Sequence, residues 1–203
     1  MAEAKTTTGA ARRATPADIG TVVTILAASH EHYVWEQWLL PQPDRYAAIE
    51  RIMNLTTRLI AIPHGEVWLA GDVSAAVWLP PELPEPPPEV ARELSTTFSA
   101  VFGEREQALE EVDAAVGEMC PPERHWTLGT MGTRPDHQKG GFGTAVLAPM
   151  LDRLDREGEC AALETSTEAN VTFYERFGFT AIAFDDALPH GAPPVWSMWR
   201  DPS

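Results

Sequence analysis

A glycine-rich segment, residues 138–144, has the composition of an anion-binding loop. It reads Gln-Lys-Gly-Gly-Phe-Gly-Thr, follows a strand-like stretch and precedes an apolar stretch with helical spacing. Glycines let successive backbone N–H groups converge with no Cβ in the way, and a helix that starts there adds its positive end. The segment therefore predicts a main-chain cradle for a pyrophosphate. The alternative is a plain glycine-rich turn before a helix.

A second patch, residues 170–179, lies downstream and reads Asn-Val-Thr-Phe-Tyr-Glu-Arg-Phe-Gly-Phe. Asn170 and Tyr174 are one helical turn apart, so a helix here places both side chains on one face. An amide and a phenol on one face can bind a polar ligand. The alternative for Tyr174 is a core position among the neighbouring phenylalanines.

Together the two patches resemble the coenzyme A segments of the GNAT N-acetyltransferase superfamily. The Q-x-x-G-x-G loop is similar to the family's pyrophosphate loop, and N-x-x-F-Y-x-x-x-G-F is similar to its second cofactor and catalytic segment. The puromycin N-acetyltransferase branch is the most similar, since it shares a Pro-Asp-His-Gln run, here 135–138, and a Leu-Glu-Thr-Ser strand end, here 163–166. The resemblance implies the GNAT acyl-CoA N-acyltransferase fold. This is an α/β fold of the α+β type, with a central, mostly antiparallel mixed sheet and helices on both faces.

The resemblance also implies how acetyl-CoA would be held as co-substrate. Amides of the loop would bind the pyrophosphate, and the strand before the loop would bind pantetheine, with Met131 and Thr133 polarising the thioester carbonyl. Asn170 would hydrogen-bond the pantetheine amide, and Tyr174 would donate to the departing thiolate. The predicted cofactor-binding residues are Met131, Gly132, Thr133, Gln138, Lys139, Gly140, Gly141, Phe142, Gly143, Thr144, Asn170 and Tyr174.

The predicted strand before the loop, residues 127–133, contains Gly129 and Gly132. Glycine weakens regular strand pairing, so the two residues predict a bulged, splayed strand against which an extended ligand can lie. The alternative is an ordinary core strand.

An amine acceptor must lose a proton, and the sequence offers several bases. Glu164, at the end of a predicted strand beside the site, is the first choice as a catalytic residue with Tyr174. The alternative bases are His30, His32, Glu36 and His125.

Aromatic side chains can face a cationic, ring-bearing acceptor. Their alternative role is a helical hydrophobic face. The predicted substrate-binding residues are Tyr33, Trp35, Trp38 and Trp126.

Length and composition favour one domain. A chain of 203 residues is long enough for one sizeable core, so we expect a single domain over 11–203 after a disordered leader over 1–10. The sequence has neither a run of about 18 apolar residues nor a signal pattern, which favours the cytoplasm over a membrane. Cys120 and Cys160 lack metal-binding spacing and are interpreted as reduced packing residues, and no metal is expected.

The formal net charge of −15, from 30 acidic and 15 basic residues, constrains the partners. It repels a phosphate backbone, which argues against nucleic acid, and it favours a cationic small molecule. Coenzyme A is itself an anion, so its binding must rest on backbone donors and on local cations such as Lys139 and Arg134. The acidity is explained equally well by a charged, solvated surface.

Periodicity and turn residues predict the elements that position these groups. Thr15 and Pro16 open a first helix, and 66–70 and 74–79 form a hairpin. Prolines make 80–88 a stiff internal connector, and one or two helices, broken near Gly103, follow it. The later predicted strands are 125–133, 161–165, 179–184 and 194–199, with helices at 145–154 and 170–177.

These observations predict an acetyl-CoA-dependent N-acetyltransferase of a small-molecule amine, such as an aminonucleoside or another antibiotic-like compound. Direct transfer in a ternary complex is expected because neither patch contains a cysteine to carry the acetyl group. The alternatives are a protein or peptide N-acetyltransferase and a non-catalytic acyl-CoA-binding module. Both a monomer and a homodimer are compatible with the sequence.

Overall fold

The structure, a computed structural model, describes residues 10–40 and 43–203. The predicted leader falls on residues outside this range, apart from Ala10. Helices and strands follow in the order β1 (Arg12–Arg13), α1 (Ile19–His30), α2 (Val34–Leu39), α3 (Arg45–Thr56), α4 (Ile62–His64), β2 (Glu66–Ala70), β3 (Ser74–Leu79), α5 (Pro88–Phe102), α6 (Glu106–Gly117), β4 (His125–Thr133), α7 (Phe142–Glu157), β5 (Cys160–Thr165), α8 (Glu168–Glu175), β6 (Thr180–Asp185) and β7 (Val195–Arg200). The predicted hairpin, connector and later elements are confirmed within a few residues. A π-helical segment, Thr57–Ala61, joins α3 to α4 and was not predicted.

One sheet runs through the described chain in the order β1-β2-β3-β4-β5-β7-β6. Among the described strands, β4 and β5 are the parallel pair, and the other neighbours pair antiparallel. The parallel pair is possible because α7 crosses over from the end of β4 to the start of β5. The predicted mostly antiparallel sheet is confirmed.

The hairpin strands β2 and β3 alternate their side chains between two cores. Leu69 and Val77 face a cluster that contains Ile25 of α1. Ala76 and Trp78 face the opposite side, in the larger cluster that α7 enters. Because side chains alternate along a strand, helices pack on both faces of the sheet, as predicted.

Helices α1 and α7 therefore position the residues at the ends of β4 and β5. Helix α7 buries an apolar stripe that includes Val146, Met150 and Leu154, and it ends at Gly158, which has a left-handed φ of 69°. No helix within the described residues is long and apolar enough to cross a membrane. Both cysteines are free thiols.

Candidate active site

The two central strands diverge, and their divergence creates a cleft. Strand β4 pairs with β5 over three residue pairs alone, from His125 with Cys160 to Thr127 with Ala162. Beyond that point β4 continues along β3, and β5 continues along β7. Val77 pairs with Thr130 and Trp78 with Leu128, which leaves Gly129 as an extra residue. The predicted bulged, splayed strand is confirmed at Gly129.

The second glycine of β4, Gly132, has a different function from the predicted one. It pairs regularly with Ala75, and a Cβ on it would lie 1.8 Å from the Oγ and 2.7 Å from the Cβ of Ser29. Gly132 therefore lets α1 approach the sheet closely rather than loosening the strand.

The cleft has a volume of about 960 Å³, which lies in the usual range for ligand sites. It is lined by α1, α2 and α6 on one side and by β4, the loop before α7, the end of β5 and α8 on the other. All twelve predicted cofactor-binding residues except Gly140 line it. Residues far apart in the sequence thus face one cavity.

The glycine loop has the backbone geometry of an anion cradle. Gly141 is the residue before α7 and has a left-handed φ of 84°, and Lys139 has a φ of 64°, which is uncommon for a residue other than glycine. The first N–H groups of a helix have no partner inside the helix, so those at the start of α7 can point at a ligand. A Cβ on Gly143 would lie 3.3 Å from the Phe173 ring, so the loop packs closely against α8.

The loop offers fewer backbone N–H donors to a ligand than the sequence predicts. The backbone N–H of Gln138 donates to the Pro135 carbonyl at 3.5 Å, and the backbone N–H of Gly140 donates to the His137 carbonyl at 3.4 Å. Both amides are engaged in the turn. The donors that the loop can offer an anion therefore come mainly from the amides at the start of α7. This donor set still fits coenzyme A, because convergent main-chain N–H groups bind phosphate oxygens without a metal.

Two cations line the cleft near this loop. Lys139 is exposed, as predicted. Arg176, which the sequence analysis missed, lines the cleft with its guanidinium 4.9 Å from the Phe173 ring centre. Arg134, the other predicted cation, lies 3.6 Å from the Asp136 carboxylate instead.

A hydrogen-bond network fixes the polar end of β5. The Tyr33 hydroxyl accepts a bond from the Ser166 amide at 2.7 Å and lies 3.2 Å from the Thr165 hydroxyl. The Asn170 side chain donates to that same Thr165 hydroxyl at 2.9 Å. The network ties α2, β5 and α8 together. It uses one side-chain N–H of Asn170, the residue predicted to hydrogen-bond pantetheine.

Tyr174 is a core residue that also lines the cleft. Its ring packs in the core against Phe173 and Phe179, and the residue also lines the cleft. Burial, and to a smaller extent the neighbouring Tyr33, raise the pKa of Tyr174 above its ordinary value. The phenol therefore stays protonated and is available as a hydrogen-bond donor.

Three carboxylates from three elements line the cleft: Glu36 on α2, Asp113 on α6 and Glu164 on β5. None of them forms a salt bridge within the described part of the chain. Burial raises the pKa of each carboxyl group, to about 7 for Glu36, and the nearby Asp113 raises that of Glu164 further. Asp113 was not predicted, because nothing in the local sequence marks it.

Of the other predicted bases, one histidine lines the cleft and two histidines lie outside it. His30 lines the cleft, and its Nδ1 lies 2.8 Å from the Leu26 carbonyl, so Nδ1 carries the proton and Nε2 is the acceptor. Burial lowers the pKa of His30. His32 is exposed outside the cleft, and His125 binds the Glu123 carbonyl at 2.6 Å, also outside the cleft.

Two of the four aromatic residues that were predicted to bind the substrate line the cleft. Tyr33 and Trp35 line the cleft. Trp38 instead donates to the His190 carbonyl at 3.1 Å, and the Trp126 ring packs under Arg153, whose Cζ lies 4.6 Å from the ring centre. Trp38 and Trp126 therefore do not line the cleft.

Residues 101–181 match the sequence model of the acetyltransferase (GNAT) domain family. Within these residues the chain is similar to GNAT acetyltransferases. The match includes β4, the glycine loop, the end of β5 and α8, which are the parts that line the cofactor side of the cleft. The matched segment therefore includes both of the sequence patches, residues 138–144 and 170–179.

Solved acetyltransferases share the fold of the chain. One from Corynebacterium glutamicum, described as histone acetyltransferase HPA2 and related acetyltransferase, has a TM-score of 0.72 at 23% identity, and the match covers 97% of each chain. A mosquito arylalkylamine N-acetyltransferase like 5b has a TM-score of 0.58 at 13% identity, covering 94% of this chain and 98% of that one. The Escherichia coli ribosomal-protein-S18-alanine N-acetyltransferase has a TM-score of 0.52 at 15% identity, covering 95% and 93%. The predicted GNAT fold is confirmed.

Within the described residues, no group of three or more His, Cys, Asp or Glu side chains is arranged to hold a metal ion. The carboxylates of the cleft come from separate elements, and their pKa values are raised rather than lowered.

Proposed function

We propose that the protein is an acetyl-CoA-dependent N-acetyltransferase that acetylates the amine of a small molecule. The observation that carries the proposal is a single cleft in which a main-chain anion cradle, the Tyr174 hydroxyl and three unpaired carboxylates meet. The cradle suits the pyrophosphate of coenzyme A, and the carboxylates suit a protonated amine.

The chain's residues would act as follows. Bound acetyl-CoA supplies the acetyl group as a thioester. The amides at the start of α7 and the Lys139 side chain would hold the phosphates, and the amides of Met131 and Thr133 would polarise the thioester carbonyl. Tyr174 donates a hydrogen bond to the sulfur as it departs. Glu36 and Glu164 both line the cleft, and these two carboxylates are the candidates for the base.

A small acceptor is favoured over a peptide because α2 and α6 contact each other beside the acceptor end of the cleft. Trp35 of α2 packs against a cluster that contains Val112 and Val116 of α6 and Val195 of β7. This contact narrows the end of the cleft that holds the carboxylates, while solvent still reaches Asp113 and Glu164. An aminonucleoside or another antibiotic-like amine, as in the puromycin N-acetyltransferase branch, has the ring and the positive charge that Trp35 and this acidic end suit.

The experiment is a thiol-release assay with acetyl-CoA and a panel of aminonucleosides, arylalkylamines, polyamines and short peptides. We expect turnover with at least one small amine and none with peptides, and mass spectrometry should show one added acetyl group on the amine. Peptide turnover alone would favour the protein acetyltransferase, and coenzyme A binding without thiol release would favour the non-catalytic module. We also propose that the enzyme is cytoplasmic and that it is a monomer or a homodimer.

A further inference from the structure

Glu36 has a carboxylate oxygen that is buried without a hydrogen-bond donor in the described part of the chain. Its Oε2 is shielded from solvent and has no hydrogen-bond partner within the described residues. The backbone amide of Glu36 hydrogen-bonds this carboxyl group, but a shielded oxygen that is left without a donor is costly, and native proteins keep such atoms rarely and for a reason. Since Glu36 lines the same cleft as Tyr174, the missing donor is best supplied by a ligand.

The position of Glu36 is fixed by its neighbours. It lies in the first turn of α2, and Tyr33, the residue before that helix, is hydrogen-bonded to the Ser166 amide at the end of β5. Helix α2 is therefore held against the strand end where the reaction would occur. A group that moves a proton needs this kind of fixed approach.

The charged groups around Glu36 do not neutralise it. Arg45 on α3 is the cation that acts on it, but the Arg45 guanidinium donates to the carbonyls of Leu40 at 2.7 Å and Glu31 at 3.3 Å. The remaining titratable groups of the acceptor side are His30 and Tyr33 next to α2, Asp113 on α6 and Glu164 on β5. Burial dominates and raises the pKa of Glu36 to about 7, which suits a base at neutral pH.

Glu164 has a different environment. Burial and then the neighbouring Asp113 raise its pKa, while His125 lowers it. The two carboxylates therefore repel each other, and a cation between them would relieve the repulsion. Solvent also reaches Glu164 in the cleft. This pair suits binding the positive charge of the acceptor rather than removing its proton.

We propose that Glu36, and not Glu164, takes the proton from the acceptor ammonium, while Glu164 with Asp113 holds the acceptor in place. This inference rests on the proposed function. The ammonium gives one proton to Glu36 Oε2, and the freed nitrogen lone pair forms the C–N bond to the acetyl carbonyl carbon. The C–S bond breaks with its electron pair on sulfur. Tyr174 passes its hydroxyl proton to the sulfur as it accepts the second proton from nitrogen, so the phenol stays neutral throughout. Glu36 then releases its proton to solvent.

The test compares Glu36→Gln with Glu164→Gln, two isosteric changes in one cleft, using the best amine of the panel from pH 5.5 to 9. We expect Glu36→Gln to lower kcat about 100-fold or more with little change in the amine KM, and to abolish the fall of kcat/KM below about pH 7. Glu164→Gln should raise the amine KM about tenfold, keep kcat within about threefold and retain the acid limb. Calorimetry should show unchanged coenzyme A binding in both variants.

A second readout does not need turnover. With carbon-13-labelled glutamate, NMR should show one side-chain carboxyl that titrates near neutral pH in the wild type and is missing in Glu36→Gln. A Glu36→Gln variant with wild-type kcat and acid limb, or a Glu36 carboxyl that titrates below about pH 5, overturns the inference and leaves the proposed function standing. A wild type that binds coenzyme A but releases thiol with no amine overturns both.

Discussion

Burial acts on Glu36 and Tyr174 in the same direction but with opposite consequences for chemistry. It disfavours the charged form of each group, so it raises both pKa values. For the carboxyl group this creates a proton acceptor near neutral pH. For the phenol it prevents ionisation, and the hydroxyl is left to act as a hydrogen-bond donor.

We expect Tyr174→Phe to lower kcat about 10-fold to 100-fold, because one hydrogen bond to a developing charge is worth about 1.5–3 kcal/mol. Steady-state kinetics and calorimetry should show coenzyme A affinity unchanged within about twofold. Tyr46→Phe, on α3 outside the cleft, makes the same chemical change and should leave kcat unaffected. A Tyr174→Phe enzyme with full kcat would remove Tyr174 from the mechanism.

The raised pKa of Glu36 also predicts how stability depends on pH. The folded state holds this proton up to about pH 7, whereas the unfolded chain releases it near pH 4.3, so the wild type loses stability as pH rises between these values. Glu36→Gln removes this loss and should stabilise the protein at pH 8 by up to about 3 kcal/mol, with a much smaller gain at pH 4. Urea unfolding at both pH values measures the difference, and an equal effect at both would contradict the assignment.

At the scale of elements, the contact of α1 with β4 decides where the acceptor side of the cleft lies. Gly132 allows this approach because Ser29 of α1 occupies the space where a Cβ would stand. The same helix carries His30 and leads into α2 with Glu36. A change at Gly132 therefore affects the fold and the site together.

We expect Gly132→Ala to destabilise the protein by about 2–3 kcal/mol, since the added methyl overlaps the Ser29 side chain. Combining it with Ser29→Gly should recover part of the loss, which a double-mutant cycle by urea unfolding measures. Gly20→Ala in the same helix meets no atom within 4 Å and should stabilise by up to about 1 kcal/mol. Strictly additive effects of Gly132→Ala and Ser29→Gly would refute the contact.

At the scale of the whole molecule, the divergence of β4 and β5 separates the sheet into two parts that share three residue pairs at their junction. Strand β4 continues with β3 on one side, and β5 continues with β7 on the other. A ligand in the cleft contacts both parts and would therefore stabilise the folded state as a unit.

Saturating coenzyme A, at about 100 times its Kd, should stabilise the protein by about 2.7 kcal/mol and raise Tm by roughly 5–10 °C. Differential scanning calorimetry measures this shift. Pantetheine alone and adenosine 3′,5′-bisphosphate alone, at the same concentration, should each give a smaller shift because each contacts part of the cleft. The absence of any shift with well-folded protein would contradict the proposed cofactor.

Much of the fold follows from the sequence because its signals are local. The hairpin of β2 and β3, the break near Gly103 and the elements after residue 125 were predicted from periodicity and turn residues. The π-helical segment Thr57–Ala61 was not, because no residue pattern marks it. Gly132 was placed on the correct strand but given the wrong function, since its neighbour Ser29 is distant in the sequence.

The sequence by itself determined the cofactor side of the site. The N–H groups of that cradle belong to one turn and one helix, so a contiguous run of residues specifies them. The tertiary structure alone decided the acceptor side, where Glu36, Asp113 and Glu164 meet from α2, α6 and β5. Burial and the distance between charges set the chemistry of these groups, and both quantities exist only once the chain has folded.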